Sequence, residues 1–317
     1  MATHEVSTWA ELAEAIRTAA GGDTIKLIAD IDCNDEIPEG VSSTIPSYEV
    51  SGTRTITGEY TENGVTKRHV IKNLRTSTTS PVAIFRMNGY YTSTTNLQGI
   101  DFLNLILAAP LIQVAETGSG YHTMNIRNCR FTGKRTDYLV YLYSSTYLYM
   151  YNCYFNIYYN GNNETKVPLC YLDTIGRGYM SNCRIRETFT GTYTPSSTDG
   201  VATCSVFPMR LSGCRVEGEV VSGKYPRYHH STALSNYTPG SQNVYDVDFK
   251  LTNNTDTSVP LYAFKGVVKI PVRKKDAETT TYEISSASTG VILADESQMQ
   301  DTNWLIQHGF DIVPSNT

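Results

Sequence analysis

The sequence predicts an all-β solenoid, and three observations carry that prediction. A short phrase recurs: I-R-N-C-R-F at residues 126–131, M-Y-N-C-Y-F ending at Phe155, M-S-N-C-R-I ending at Ile185 and L-S-G-C-R-V ending at Val216, with weaker copies ending at Phe102 and Phe249. Its spacing is regular, since the equivalent positions Ile100, Cys129, Cys153, Cys183, Cys214 and Val247 follow one another at 29, 24, 30, 31 and 33 residues, and repetition at such a period marks stacked units. Composition agrees. Hydrophobic residues make up 40% and charged residues only 18%, with abundant Thr, Ser, Tyr, Asn and Gly that favour strands and turns over helices.

Residues 1–23 read as an N-terminal capping helix. Thr8 is its N-cap and Glu11 stands three residues later, a capping box; Trp9, Leu12, Ala13 and Ile16 then share one face, and Gly21 and Gly22 end it. Such a helix covers the open end of a stack, where apolar core and unpaired backbone groups would otherwise meet water. Thr24 to Ala29 alternates as a strand with Ile25, Leu27 and Ala29 on one face. Residues 35–80, with Pro38, Pro46 and many Thr and Ser, read as two irregular coils holding strands near Thr53–Ile56 and His69–Ile71.

From Pro81 a second strand type precedes each Cys phrase: V-A-I-F at 82–85, L-I-Q-V at 111–114, L-V-Y-L-Y at 139–143, L-C-Y-L at 169–172, C-S-V-F at 204–207 and L-Y-A-F at 261–264. Near-continuous apolar runs suit parallel strands covered on both faces. Each repeat then holds this strand, a strand ending at Asn or Gly, a bend, and a strand with the Cys and Phe slots. Three short strands per coil predict a right-handed parallel β-helix over residues 24–270, roughly eight coils and about 35–40 Å long at about 4.8 Å per coil. Asn128, Asn152 and Asn182 fall at the bend, where Asn tolerates the left-handed conformation and can bond from coil to coil; Gly99 and Gly213 take that place in weaker copies. The four Cys of the phrase read as stacked, inward thiols that pack like small hydrophobes, and no C-x-x-C pair suggests a metal. Residues 271–317 read as a C-terminal cap or attachment segment, in which Asp301 caps a short helix through Trp304, Leu305 and Ile306.

A formal charge of −5 provides no general basic field, so a nucleic-acid partner is not expected. No window approaches about eighteen apolar residues, and the first twenty lack a basic stretch followed by an apolar run; neither membrane insertion nor a signal peptide is expected.

The phrase also yields the outward columns. One residue after the Cys slot stand Asp101, Arg130, Tyr154, Arg184, Arg215 and Asp248; three after it stand Leu103, Thr132, Asn156, Arg186, Glu217 and Lys250. Opposite charges on successive coils read as ion pairs, with Glu217 between Arg186 and Lys250. A glycosidase needs two carboxyls roughly 5 to 9.5 Å apart, for which Glu217 with Glu219, or Asp246 with Asp248, are candidates. A lyase needs acids beside a base, and Asp173 with Arg177 comes nearest. His229 and His230 read as a solvated pair in a loop. No metal and no cofactor is expected.

Binding is the stronger expectation. Tyr141, Tyr143, Tyr154, Tyr158, Tyr193 and Tyr228 are the candidate residues, together with loops at 157–166, 187–202, 219–231 and 251–258 rich in Tyr, Asn, Thr and Gly. In L-V-Y-L-Y both alternating sets are apolar or aromatic, so the outer side of that strand calls for a cover, either loops or another subunit.

The Asn and aliphatic ladders, together with the opening S-T-W-A-E-L-A-E-A-I and G-G-D-T-I-K-L, resemble the right-handed β-helix proteins of the pectate-lyase-like superfamily over most of residues 8–270. The Thr-, Tyr- and Asn-rich coils, with no export signal, look like those of bacteriophage virion proteins. That resemblance implies a non-enzymatic homotrimeric fibre, spike or capsid decoration. It would be made in the host cytoplasm, be built into the virion beside other virion proteins, and contact host surface polysaccharide. The same architecture hosts polysaccharide lyases, glycoside hydrolases and bacterial surface adhesins, which stand as the alternative expectations.

Overall fold

Short runs of alternating apolar and polar residues, parted by Asn or Gly, give strands of two to eight residues that assemble into three sheets. The computed structural model describes residues 1–36, 52–76, 85–88, 92–115, 121–135, 137–142, 146–159, 169–172, 177–189, 201–206, 209–220, 228–231, 244–245, 248–253, 262–265, 297 and 301–307. The chain visits the sheets in rotation. One round runs Ser93–Gln98, Ile100–Leu107, Ile112–Ala115; the next runs His122–Arg127, Arg130–Arg135, Val140–Leu142; the third runs Thr146–Tyr151, Tyr154–Tyr159, Cys170–Leu172. Arg177–Ser181, Arg184–Phe189 and Val201–Val206 follow, then Met209–Ser212, Arg215–Val220 and Tyr228–Ser231. Each strand pairs in parallel with its equivalent one round later. The all-β class is as predicted, and the second sheet holds eight strands along its main path.

The inward positions stack. Phe102, Phe131 and Phe155 lie ring over ring at 5.0 and 5.2 Å, and Phe85 meets Phe102 edge-on at 6.2 Å. Leu97, Ile126, Met150 and Met180 form a second fully buried column. Cys129, Cys153, Cys183 and Cys214 form a third, all free and at most 2% exposed. The first three donate to carbonyls two residues back, at 3.2, 3.3 and 3.4 Å. Burial pushes the Cys129 and Cys183 thiols well above their ordinary value, so they pack as small hydrophobes, as predicted.

The bend residues behave as expected too. Asn128, Asn152 and Asn182 have φ of 54°, 53° and 52°, and Gly99 and Gly213 both 58°. Asn152 Nδ2 donates to Asn128 Oδ1 at 3.4 Å, and Asn128 Nδ2 donates to Glu59 Oε1 at 2.9 Å. Gly99 is demanded twice over, by its φ and because a Cβ there would lie 1.9 Å from Glu59 Cγ. A second left-handed series went unpredicted: Asn104 Nδ2 donates to Asn73 Oδ1, and Asn73 Nδ2 to Asp32 Oδ1 at 2.7 Å.

At the N-terminus, helix α1 (Trp9–Thr18) carries the predicted capping box, Glu11 N donating to Thr8 Oγ1 at 3.2 Å and Thr8 N to Glu11 Oε2 at 3.2 Å. Its buried face is Trp9, Leu12, Ala15 and Ile16, with Ala13 only partly covered. Arg54, 2% exposed, donates to Ala19 O at 2.8 Å and sets its charge at the negative end of the helix. Asp23 accepts from Ala2 N at 2.7 Å, Ala20 N at 3.0 Å and His4 Nε2 at 3.0 Å, which ties Thr3–Val6, the helix end and the strand Thr24–Leu27 together.

Several expectations need correction. Thr3–Val6 is an edge strand parallel to Thr24–Leu27, which stops short of Ala29. A short helix, α2 (Cys33–Glu36), was not foreseen. Glu59–Glu62 and Val65–Lys72 form an antiparallel hairpin about Asn63 and Gly64, whose φ values of 52° and 75° are those of an Asn-Gly turn. All four predicted loops begin later than expected, because Ile157, Glu187, Glu219 and Leu251 lie within strands. His229 and His230 are in a third-sheet strand, His230 in register with Cys204 and Phe264. Helix α3 (Thr302–Gln307) is capped as expected, Asp301 Oδ1 accepting from Asn303 N at 2.9 Å and Trp304 N at 3.1 Å. No helix among the described residues is long and apolar enough to cross a membrane.

Candidate functional site

Parallel pairing converts the repeat into columns of side chains on the outer face of the second sheet. Asp101, Arg130, Tyr154, Arg184, Arg215 and Asp248 follow in register, as the spacing predicted. The neighbouring column holds Thr132, Asn156, Arg186, Glu217 and Lys250. Leu103 falls out of it, because the register shifts between Phe102 and Leu105.

Charge organises this face. Asp101 lies 3.3 Å from Arg68 and 3.9 Å from Arg130. The guanidiniums of Arg130 and Arg184 each sit 5.8 Å from the Tyr154 ring, a cation–π contact on either side. Glu217 is gripped by Arg184 at 3.2 Å and Arg215 at 2.7 Å. Its expected partners were Arg186 and Lys250, directly across the strands. The reach of a guanidinium favours the diagonal Arg184 and the same-strand Arg215, and Arg186 stays exposed with no carboxylate partner among the described residues. Partial burial pushes the Glu217 carboxyl up, but the two guanidiniums outweigh it and hold the group below the usual carboxylate value. A carboxyl so held is ionised at neutral pH and has no proton to deliver as a general acid.

The other candidates fall in different places. Glu219 lies two residues beyond Glu217 in the same strand, in register with Thr188 and Thr252. Tyr158, 43% exposed, stands between Lys134 and Thr188 in register. Tyr141 is half-buried in the third sheet with its ring 5.1 Å from Tyr138. Tyr228 belongs to a third-sheet strand, in register with Val201 and Tyr262, and not to the predicted loop. Asp173, Tyr143 and Tyr193 lie outside the described residues. The second sheet thus carries Tyr154, Tyr158 and Glu217, and Tyr141 and Tyr228 lie on another sheet.

Neither a family model nor a curated protein matches this chain.

Two groupings escaped the sequence reading. On the outer face of the first sheet, Tyr149 and Tyr151 lie parallel with centroids 6.4 Å apart, and Tyr179 from the next round is 6.4 and 6.0 Å from them. Arg127 sits 4.9 Å over the Tyr151 ring. The alternation in T-Y-L-Y-M-Y at 146–151 carried the signal, since alternate strand residues share a face. Inside the stack, Arg135 Nη2 donates to Glu187 Oε1 at 2.8 Å, both side chains fully buried. Cys170 lies within the influence of this pair, and burial drives its thiol far up.

Proposed function

We propose that the three sheets form a right-handed parallel β-helix and that the chain is a non-enzymatic structural component of a bacteriophage virion. In this reading it is a fibre, spike or capsid decoration that assembles as a homotrimer beside other virion proteins and contacts host surface glycans. The observation that carries it is the rotation of the chain through three parallel sheets over unbroken interior columns of Phe, Cys and aliphatic side chains, which makes a stiff stack. Crossovers between parallel strands of one sheet are right-handed in nearly all proteins, which gives the hand. The glycan contact follows from outward aromatic and charged columns, in which Arg184 and Arg215 hold Glu217 as an oriented acceptor.

The tyrosine cluster of the first sheet supplies the contact between copies: three neighbouring rings with apolar faces and polar tips are well suited to a packed interface. Light scattering on the purified chain at micromolar concentration tests the assembly. A particle of three times the 35.2 kDa chain mass is expected, and Tyr149→Glu with Tyr179→Glu should dissociate it. A wild-type monomer would overturn the reading.

A further inference from the structure

Successive rounds bring a thiol to the same inward slot. Cys129, Cys153, Cys183 and Cys214 each precede one of the paired positions Arg130, Tyr154, Arg184 and Arg215. Arg184 N donates to Cys153 O and Arg215 N to Cys183 O, both at 2.9 Å, so the slots stay aligned from round to round. Parallel strands lie about 4.8 Å apart, inside the range of about 4.4–6.8 Å that separates the Cα atoms of a disulfide. Contacts along the column are unequal. The Cys183 thiol interacts directly with those of Cys153 and Cys214, whereas Cys129 feels Cys153 only as a charge. The interaction with Cys183 holds the Cys153 thiol below its ordinary value against the opposing effect of burial, and the charge of Arg68 helps. Cys183 is itself pushed up, by burial first and then by its two neighbours. One sulfur is thus suited to act as a thiolate beside another that keeps its proton.

We propose that Cys153 and Cys183 are a peroxide-sensitive pair that closes a disulfide between consecutive rounds of the stack. The pair needs neither the trimer nor the glycan contact. The Cys153 thiolate attacks one oxygen of hydrogen peroxide; the O–O bond breaks, and the departing hydroxide takes a proton and leaves as water. Cys183 sulfur then attacks the sulfur of the Cys153 sulfenic acid; the S–O bond breaks, and the hydroxyl leaves as a second water with the Cys183 proton. The two thiols lose two electrons and the peroxide gains them. Each residue is only 2% exposed, which shuts out bulky disulfide reagents and leaves a path for an oxidant little larger than water. In a compartment that keeps thiols reduced the column stays open. Once closed, the bond pins two rounds together and restricts the unfolded chain. The third sheet supplies an internal control, since Cys170 is in register with Cys204 but burial drives its thiol far up.

Mass spectrometry on the full chain tests the inference. The native protein is treated with hydrogen peroxide, quenched, unfolded in acid, alkylated and digested without reduction. The first product should be a linked peptide pair holding Cys153 and Cys183, lighter by two hydrogens, with Cys170 still alkylated. In Cys183→Ala, Cys153 should run on from sulfenic to sulfinic acid for want of a resolving thiol. In Cys153→Ala, Cys183 should oxidise about tenfold more slowly or less. The oxidised wild-type protein should unfold at higher urea than the reduced one, and a reductant should reverse the shift. A column that stays reduced in peroxide, a principal link from Cys153 to Cys129 or from Cys183 to Cys214, or undiminished oxidation of Cys183 in Cys153→Ala would each overturn the pair. The wild-type map decides the pairing even if neither variant folds.

Discussion

A guanidinium and a carboxylate meet at 2.8 Å with no exposure to water, in an interior lined mainly by aliphatic, Phe, Met and Cys side chains. Burial of two charges costs several kcal/mol per ion, and only their close approach and further hydrogen bonds offset it. Arg135 finds one such bond in Asp137 O at 3.4 Å. The pair also spans a strand: Gly133, Ile157 and Glu187 are in register, and Arg135 reaches across the Ile157 strand to Glu187. Loss of one partner leaves an uncompensated buried charge. Glu187→Leu or Arg135→Met should therefore cost about 3–5 kcal/mol in urea unfolding, and the double variant should regain most of that loss. A double variant destabilised by the sum of the two single losses would deny the pair its coupling. Neither residue was legible from the repeat, because Glu187 fell where a variable loop was expected and Arg135 lies beyond the last slot of the phrase. Asn128 and Cys129 were legible, since a left-handed bend and a small inward side chain recur at fixed spacing and leave few residue types able to serve.

The N-terminal cap is an element whose stability is set by one carboxylate. Backbone N–H groups of Ala2 and Ala20, with the His4 side chain, hold Asp23 down to about 2 from an ordinary 3.8. Because the folded value is depressed, the stabilisation is fully present above about pH 4 and is lost as pH falls from there towards 2. Buried Trp9 should report this as a fluorescence shift in that window, and Asp23→Asn should abolish the titration while loosening the cap at neutral pH. An unchanged acid profile in Asp23→Asn would place the effect elsewhere. Helix α1 itself was readable from S-T-W-A-E, because a capping box is a local signal. Thr3–Val6 was not, since its pairing with Thr24–Leu27 is a long-range event and four residues hold little pattern. The Asn63–Gly64 hairpin had a local signal in its Asn-Gly pair, but it stands outside the period of about thirty residues that marks the other strands. The His229–His230 strand is short, and Tyr, His and Ser do not form the apolar run that marked the other strands of its sheet.

At the scale of the whole molecule, the period near thirty residues was the decisive feature, and it gave the parallel register of the Cys-phrase strands from Arg130 to Asp248. The surface chemistry was less readable, because diagonal contacts such as Arg184 to Glu217 depend on side-chain reach and not on spacing. Stacked repeats each contact only their neighbours, so stability can propagate or fail along the axis. Six buried thiols among the described residues, Cys33, Cys129, Cys153, Cys170, Cys183 and Cys214, none in a disulfide, report on this. A disulfide-exchange reagent should leave them unlabelled in the native protein, and Cys214 should react before Cys129 if rounds are lost from the C-terminal end as denaturant is raised. Simultaneous labelling of all six would mean that the stack melts as one unit. The asparagine ladders add a direction to it. A carboxylate can only accept, so Glu59 and Asp32 oblige Asn128 and Asn73 to turn their NH2 groups towards the N-terminal rounds and their oxygens towards the rounds that follow. Asn152 and Asn104 answer in the same sense. The side-chain amides are thus aligned head to tail, so each ladder carries its amide dipoles in one direction along the axis.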